Sequence, residues 1–115
     1  MATFSPNTEK LLYRNNGFEV ASGNDQRKDK SSGASVDVLV IGIRWIDDKA
    51  LDTYDFPYKN SKGENIWFRL PDTLAPIVLS WIFNKSQGIV DCQALTDAFV
   101  TIVQQRQAGG AKWRE

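Results

Sequence analysis

The sequence predicts an α+β fold, with an N-terminal helix, a small antiparallel sheet of three to four strands, and two C-terminal helices packed on one face of that sheet. Three observations support this prediction. Residues 36–46 form a dense apolar run that is rich in β-branched side chains. The last third of the chain carries two segments with helical spacing of apolar residues, separated by a short turn that contains glycine. A length of 115 residues is enough for one such domain and too short for a second core.

The N-terminal helix is predicted between Ser5 and Gly17 from its end signals. Ser5 is a suitable N-cap, Pro6 suits the first helical position, and Gly17 can provide a left-handed stop. Leu11 and Leu12 supply the apolar contact to the rest of the protein. A helix of about two to three turns is marginal alone, so we expect the remainder of the fold to hold it in place.

A polar segment follows a short strand predicted at residues 18–20. Residues 22–35 read SGNDQRKDKSSGAS, and we interpret them as a mobile polar loop. The simplest role is a solvated connector, and the alternative is a binding loop, because long loops often carry function. In the second case, Arg27, Lys28 and Lys30 are the candidate binding residues, although two interleaved aspartates leave this group a net charge of only +1 (three minus two).

The clearest strand is predicted at residues 36–46, where both alternating sets of side chains are apolar. Such a strand is buried on both faces, so we expect it to be central and covered by helices on at least one side. Two further strands are predicted at 54–58 and 65–70, joined by a turn, with Pro57 restricting the first to an edge. We expect the core to bring the central strand against the first C-terminal helix, through Leu39, Ile41 and Ile43 on one side and Ile77, Trp81 and Ile82 on the other.

The two C-terminal helices differ in character. The first is predicted from an N-cap at Asp72 to about Lys85 and is apolar nearly all round, which predicts burial on several sides. The second is capped by Asp91, is amphipathic, and ends near Gly109. Cys92 lies on the apolar face of the second helix, so we expect it to be a small buried hydrophobic residue. Its polar face lacks basic residues in the N-terminal half, which favours a packing pair over a DNA-binding helix-turn-helix.

The composition excludes several classes of function. The chain contains 14 Lys+Arg, 14 Asp+Glu, one cysteine and no histidine. Zinc sites, histidine-based catalysis and an internal disulfide are therefore not expected. We predict that the protein is not an enzyme and has no cofactor. A net charge of zero argues against a dedicated nucleic-acid binder, for which phosphate neutralisation supplies most of the affinity.

One carboxylate cluster has the ligand chemistry of a metal site. The residues Asp47, Asp48, Asp52 and Asp55 follow the central strand, and hard cations such as Mg²⁺ prefer such oxygen ligands. The nearest upstream acid on that strand is Asp37, which lies roughly 33 Å away at about 3.3 Å per residue. We therefore expect these carboxylates to face solvent, and we predict no metal site.

Residues 1–108 are predicted to form the single domain, and residues 109–115 a flexible tail. Trp113, flanked by Lys112 and Arg114, is either an anchor for a partner or folds back onto its own domain. With no signal segment at the N-terminus and no long apolar run, we expect a cytoplasmic location, inside a host cell if the protein is viral, and no membrane contact.

The predicted function is a small non-enzymatic protein-interaction module, an adaptor or inhibitor of the kind carried by phages and mobile elements. The expected partner is another protein, with a homodimer as one option. The alternative is a nucleic-acid-binding protein or a coat-type oligomer that uses local basic patches.

Overall fold

The protein folds as an antiparallel sheet with two helices packed on one of its faces. The structure is a computed structural model, and it describes residues 4–15, 17–28, 31–45, 62 and 66–109. Within these residues the sheet has four strands in the order β1-β2-β3-β4, each antiparallel to its neighbour. The predicted α+β class, antiparallel sheet and C-terminal helix pair are thus confirmed. The elements are β1 (Lys10–Asn15), β2 (Phe18–Lys28), β3 (Ser35–Trp45), β4 (Phe68–Arg69), α1 (Ala75–Phe83) and α2 (Cys92–Gly109).

The central position of β3 was predicted correctly. It lies between β2 and β4, and its pairing with β2 runs without interruption from Phe18 opposite Trp45 to Lys28 opposite Ser35. Its side chains that point to the helices enter the core, where Ile41 is fully buried. Val38 and Val40 on the opposite side are also buried, so β3 is covered on both faces, as its doubly apolar pattern indicates.

The predicted N-terminal helix is wrong, since the first helix begins at residue 75 and residues 10–15 form β1 instead. The register with β2 shifts between Leu11 and Tyr13, and this β-bulge leaves both Leu12 and Tyr13 buried in the core. The connection to β2 includes Gly17 with φ of 74°. A left-handed glycine ends a helix and turns a hairpin equally well, so the local signals could not separate the two structures.

The predicted polar loop at 22–35 is also wrong over its first half, because Ser22 to Lys28 continue β2. The backbone of this half is paired residue by residue with β3. Its charged side chains make ion pairs with later elements, between Asp25 and Arg69 at 2.7 Å and between Arg27 and Asp72 at 3.2 Å. Pairing with β3 satisfies the backbone regardless of side-chain polarity, so composition alone did not reveal this strand.

Only one side of α1 is buried, contrary to the expectation of burial on several sides. Ala75, Leu79 and Ile82, at positions i, i+4 and i+7, lie in the core. Ile77 and Trp81, which we expected in the core opposite β3, are exposed instead. The described part of the chain covers the other sides of α1 only in part, since the ring of Trp81 packs against Tyr13 and Phe18 but stays 44% exposed, and Ile77 is 63% exposed.

Of the two predicted helix caps, one is confirmed and the other is wrong. Asp91 caps α2 as predicted, with its Oδ1 accepting a hydrogen bond from the backbone N–H of Ala94 at 3.0 Å. Asp72 does not cap α1, which begins at Ala75 without a side-chain cap. Asp72 instead forms an ion pair with Arg27.

Cys92 is exposed, so its predicted burial is wrong. The reason is that the buried line of α2 passes through Ala94, Leu95, Ala98 and Ile102.

Several predictions fall outside the described residues. These are the strand at 54–58, the turn at 59–63 apart from residue 62, the carboxylates at 47, 48, 52 and 55, and the tail from residue 110. The proposed domain boundary at residue 108 stays a prediction.

Candidate interaction surface

The outward side of α1 carries three large apolar side chains in a row. Leu74, Ile77 and Trp81 are spaced i, i+3 and i+7, which places them on one side of the helix. The exposed fractions are 40% for Leu74, 63% for Ile77 and 44% for Trp81. These three residues are called the α1 outer face below. Because scattered apolar residues are normal on a surface but aligned ones are not, this face is the first candidate for a contact with a partner.

Trp81 sits at the end of the α1 outer face with its ring held in place from below. Its ring packs edge-on against Tyr13 at 5.6 Å and against Phe18 at 6.5 Å, measured between ring centroids. The ammonium group of Lys85 lies 4.2 Å from its ring centroid, which is a cation–π distance. A large aromatic ring that is fixed yet 44% exposed loses little side-chain entropy when a partner covers it.

Phe68 of β4 adds a further exposed apolar side chain near the helix side of the sheet. It pairs with Ile43 of β3 and is 56% exposed. Ile43 itself is packed against the core cluster. Exposed apolar residues therefore occur on both α1 and the neighbouring short edge strand.

The opposite face of the sheet carries arginine side chains. Alternation along the strands places Arg14, Arg27, Arg44 and Arg69 on this side, which is called the arginine face below. Each of the four has a carboxylate partner within 3.4 Å or less. The positive charge of the arginine face is therefore largely neutralised in place.

Glu19 is the centre of the most buried charge cluster on the arginine face. Its side chain is 5% exposed and binds Arg44, which donates through both Nε and Nη2 at 2.8 Å. Arg14 approaches the second carboxylate oxygen of Glu19 to 3.4 Å, but its own side chain is 60% exposed. The Glu19–Arg44 pair is thus a buried structural contact, whereas Arg14 is its solvated outer member.

Trp67 connects this cluster to the N-terminal segment. The guanidinium carbon of Arg44 lies 4.4 Å from the centroid of its ring, and the ring of Phe4 stacks on it at 5.8 Å. Its indole N–H donates a hydrogen bond to Glu9 at 2.8 Å. Trp67 is almost completely buried, so this part of the arginine face is packed rather than available to a partner.

Of the six residues predicted to bind a partner, the structure describes Arg27 and Lys28. Arg27 is half-buried and paired with Asp72, and Lys28 is exposed at the end of β2. The other four, Lys30, Lys112, Trp113 and Arg114, lie outside the described residues.

The α1 outer face was missed because an all-round apolar helix is ordinarily a buried one. Arg44 and Arg69 were missed because their partners are distant in the sequence. A cation in an otherwise apolar strand, as at Arg44, is the signal that could have indicated a buried ion pair.

Two negative findings apply to the described part of the chain. It contains no group of three or more His, Cys, Asp or Glu side chains arranged to hold a metal ion. Neither of its helices has the length and apolar content that crossing a lipid bilayer requires.

The class defined by these observations is a small α+β domain with a four-stranded antiparallel sheet, one helix-covered face and an apolar outer helix surface. No protein-family model, curated protein or solved structure matches the chain.

Proposed function

We propose that this chain is a small non-enzymatic protein-interaction module and that the α1 outer face is its contact surface. The observation that supports the proposal is the mismatch between the composition of α1 and its burial. The helix is apolar on nearly every side, yet among its described residues only the line through Ala75, Leu79 and Ile82 is fully buried. An apolar helix surface that the described residues leave largely exposed supports a partner that covers it.

From its geometry, we expect Trp81 to contribute a large share of the binding energy. Tryptophan is enriched among the few interface residues that contribute most of the binding energy, and such residues act by becoming desolvated. Trp81 is already oriented by Tyr13 and Phe18, with Lys85 over its ring. The partner is another protein chain, either a different protein or a second copy of this one, encountered in the cytoplasm.

Crosslinking from the surface itself tests this function. A photo-reactive phenylalanine analogue is placed at Ile77 in one variant and at Val100 in the other, because Val100 is a comparably exposed apolar residue on α2. Illumination in the producing cells should yield a discrete crosslinked protein from position 77 and none from position 100. Mass spectrometry of the product shows whether it is a second copy or another protein. No product from position 77, or equal products from both positions, would reject the proposal.

Once crosslinking has identified the partner, the affinity of its complex with this chain provides a quantitative test. Ile77→Gln should weaken the complex by about tenfold or more, whereas Val100→Gln should change it less than about twofold, since interface energy is concentrated at few residues. Both positions are exposed, so both variants should remain folded.

The coat-type, nucleic-acid-binding alternative has one observation in its favour. Four arginines gather on one face of the sheet, and the side chain of Arg14 is 60% exposed. Their carboxylate partners weigh against strong phosphate binding. An RNA-binding titration at several salt concentrations separates the two functions, because each neutralised phosphate steepens the salt dependence. A steep slope that Arg14→Ala reduces would favour the alternative, and a flat one the interaction module.

A further inference from the structure

A cavity of about 210 Å³ lies between the sheet and α2, and its two walls carry opposite kinds of polar group. One wall comes from the sheet and the segment just before β1, and the other from α2. The sheet side is lined by Thr8, Lys10, Ser22, Asn24 and Leu39, and the helix side by Ala94, Asp97, Ala98 and Thr101. This cavity is separate from the α1 outer face, and nothing in the proposed function uses it.

The sheet wall presents hydrogen-bond donors. Lys10 lies directly opposite Ser22 in the β1–β2 register, and Asn24 follows two residues later on the same side of β2. Ser22 is only 2% exposed, and it is one of the few buried polar residues among those described. Within the described residues, none of these three side chains has a hydrogen bond or an ion pair. An ammonium, a hydroxyl and an amide that converge in this way suit a carboxylate group.

The helix wall presents a carboxylate. Asp97 and Thr101 are four residues apart, so they lie on the same side of α2, and both line the cavity. The Oδ1 atom of Asp97 accepts a hydrogen bond from Gln93 at 2.9 Å, which orients the carboxylate and leaves Oδ2 for another donor. This wall suits an ammonium group.

Apolar atoms separate the two polar walls. Leu39, Ala94 and Ala98 line the same cavity, and the two alanines provide the open volume because their side chains are small. A dry cavity of ~150 Å³ is large enough to hold benzene, so the present one can hold a molecule with a short aliphatic side chain.

From these three features we propose that the cavity binds a free α-amino acid with a small aliphatic side chain. Its carboxylate contacts Lys10, Ser22 and Asn24, and its ammonium group contacts Asp97. Its side chain lies against Leu39 and the two alanines. The opposite charges of Lys10 and Asp97 select a zwitterion over a ligand with net charge, and the hydroxyl of Ser22 is one further donor for the carboxylate.

Titration of the full ¹⁵N-labelled chain with L-valine and with L-alanine tests the proposal. The backbone amide signals of Ser22, Leu39 and Asp97 should shift together and saturate with one Kd for at least one of the two. Isovalerate, which lacks the ammonium group of valine, and isobutylamine, which lacks its carboxylate, should each bind at least tenfold more weakly. Shifts that do not saturate with either amino acid would mean that the cavity holds only water, and the proposal would be wrong.

Two variants test which wall of the cavity binds the carboxylate and which binds the ammonium group of the amino acid. Asp97→Asn should weaken amino-acid binding at least tenfold and leave the weak binding of isovalerate unchanged. Lys10→Met should also weaken amino-acid binding at least tenfold, but it should leave the weak binding of isobutylamine unchanged. Asp37→Asn and Lys28→Met remove the same charges at exposed strand positions away from the cavity and serve as matched controls. All four positions are exposed, so the amide spectrum should stay folded. Unchanged amino-acid affinity in Asp97→Asn and Lys10→Met, or equal losses in the controls, would overturn the assignment.

Discussion

The ring of Phe4 occupies the space above Gly23 in which any other residue would carry its Cβ. The same ring approaches Gly42, where an added Cβ would lie 3.0 Å from its Cζ and 2.6 Å from Cβ of Trp67. Two neighbouring strands thus each provide a glycine so that the N-terminal segment can lie flat on the sheet. The backbone of Ser5 anchors this segment through its N–H, which donates to the carbonyl of Asn24 at 2.8 Å.

Gly23→Ala should therefore lower the free energy of unfolding by about 1–3 kcal/mol, because the new methyl group overlaps the root of the Phe4 side chain. Urea denaturation measures this loss. In a Phe4→Gly background, which also removes the Phe4 Cβ that lies 2.7 Å from the added methyl group, the same substitution should cost less than about 0.5 kcal/mol, since the clash is then absent. Equal costs in the two backgrounds would show that Phe4 does not occupy this position.

Removal of Glu19 should be costly and removal of Arg14 should not, although both belong to one charge cluster. Glu19→Ala removes the buried carboxylate that the guanidinium of Arg44 contacts at 2.8 Å, which should cost about 3 kcal/mol. Arg14→Ala removes a mostly exposed ion pair and should cost about 0–1 kcal/mol. Chemical denaturation of both variants checks the ratio, and a loss for Arg14→Ala as large as that for Glu19→Ala would contradict the assignment.

Two isoleucines provide a matched test of the core. Ile41→Ala should cost about 2–5 kcal/mol, because Ile41 is fully buried and its truncation leaves a cavity. Ile77→Ala should cost less than about 0.5 kcal/mol in the isolated chain, because Ile77 is 63% exposed. Thermal or urea unfolding of the two variants gives the comparison. If Ile77→Ala were the more damaging change, α1 would have to face the sheet by another side.

The cap of α2 gives a smaller but specific prediction. Asp91→Ala removes the side-chain acceptor of the Ala94 N–H and should cost about 1 kcal/mol. Asp97→Ala is the control on the same helix, and it loses only an exposed contact to Gln93, worth less than about 0.5 kcal/mol. Equal stability of Asp91→Ala and wild type would show that the helix begins elsewhere.

The elements that could be predicted from the sequence are those whose signal is both local and unambiguous. The doubly apolar run around Ile41 has few options other than an internal strand. Asp91 precedes a long amphipathic segment, so the cap and the inward face of α2 could both be inferred, apart from Cys92 at its first turn. Gly17 indicates a left-handed residue, a signal that helix ends and hairpins share, whereas the dipeptide Asn16-Gly17 favours the hairpin.

The candidate surfaces could not be predicted in the same way. The cavity brings Lys10 and Ser22, which pair in one hairpin, opposite Asp97, which lies 75 residues after Ser22 in the chain. The α1 outer face could not be predicted for a different reason. The apolar side chains of Ile77 and Trp81 indicate only that an apolar environment should cover them. They do not indicate whether the same chain or a partner provides it.

By itself, the sequence determined the α+β class, the central strand and the amphipathic second helix, because these depend on periodicities that every residue of the element shares. Only the tertiary structure decided that residues 10–15 join a sheet and that Ser22 to Lys28 extend β2. A strand receives its hydrogen bonds from a neighbour, so β3 supplies what local propensity cannot. The same holds for the ion pairs of Asp25 and Arg27, whose partners lie more than forty residues away, at Arg69 and Asp72.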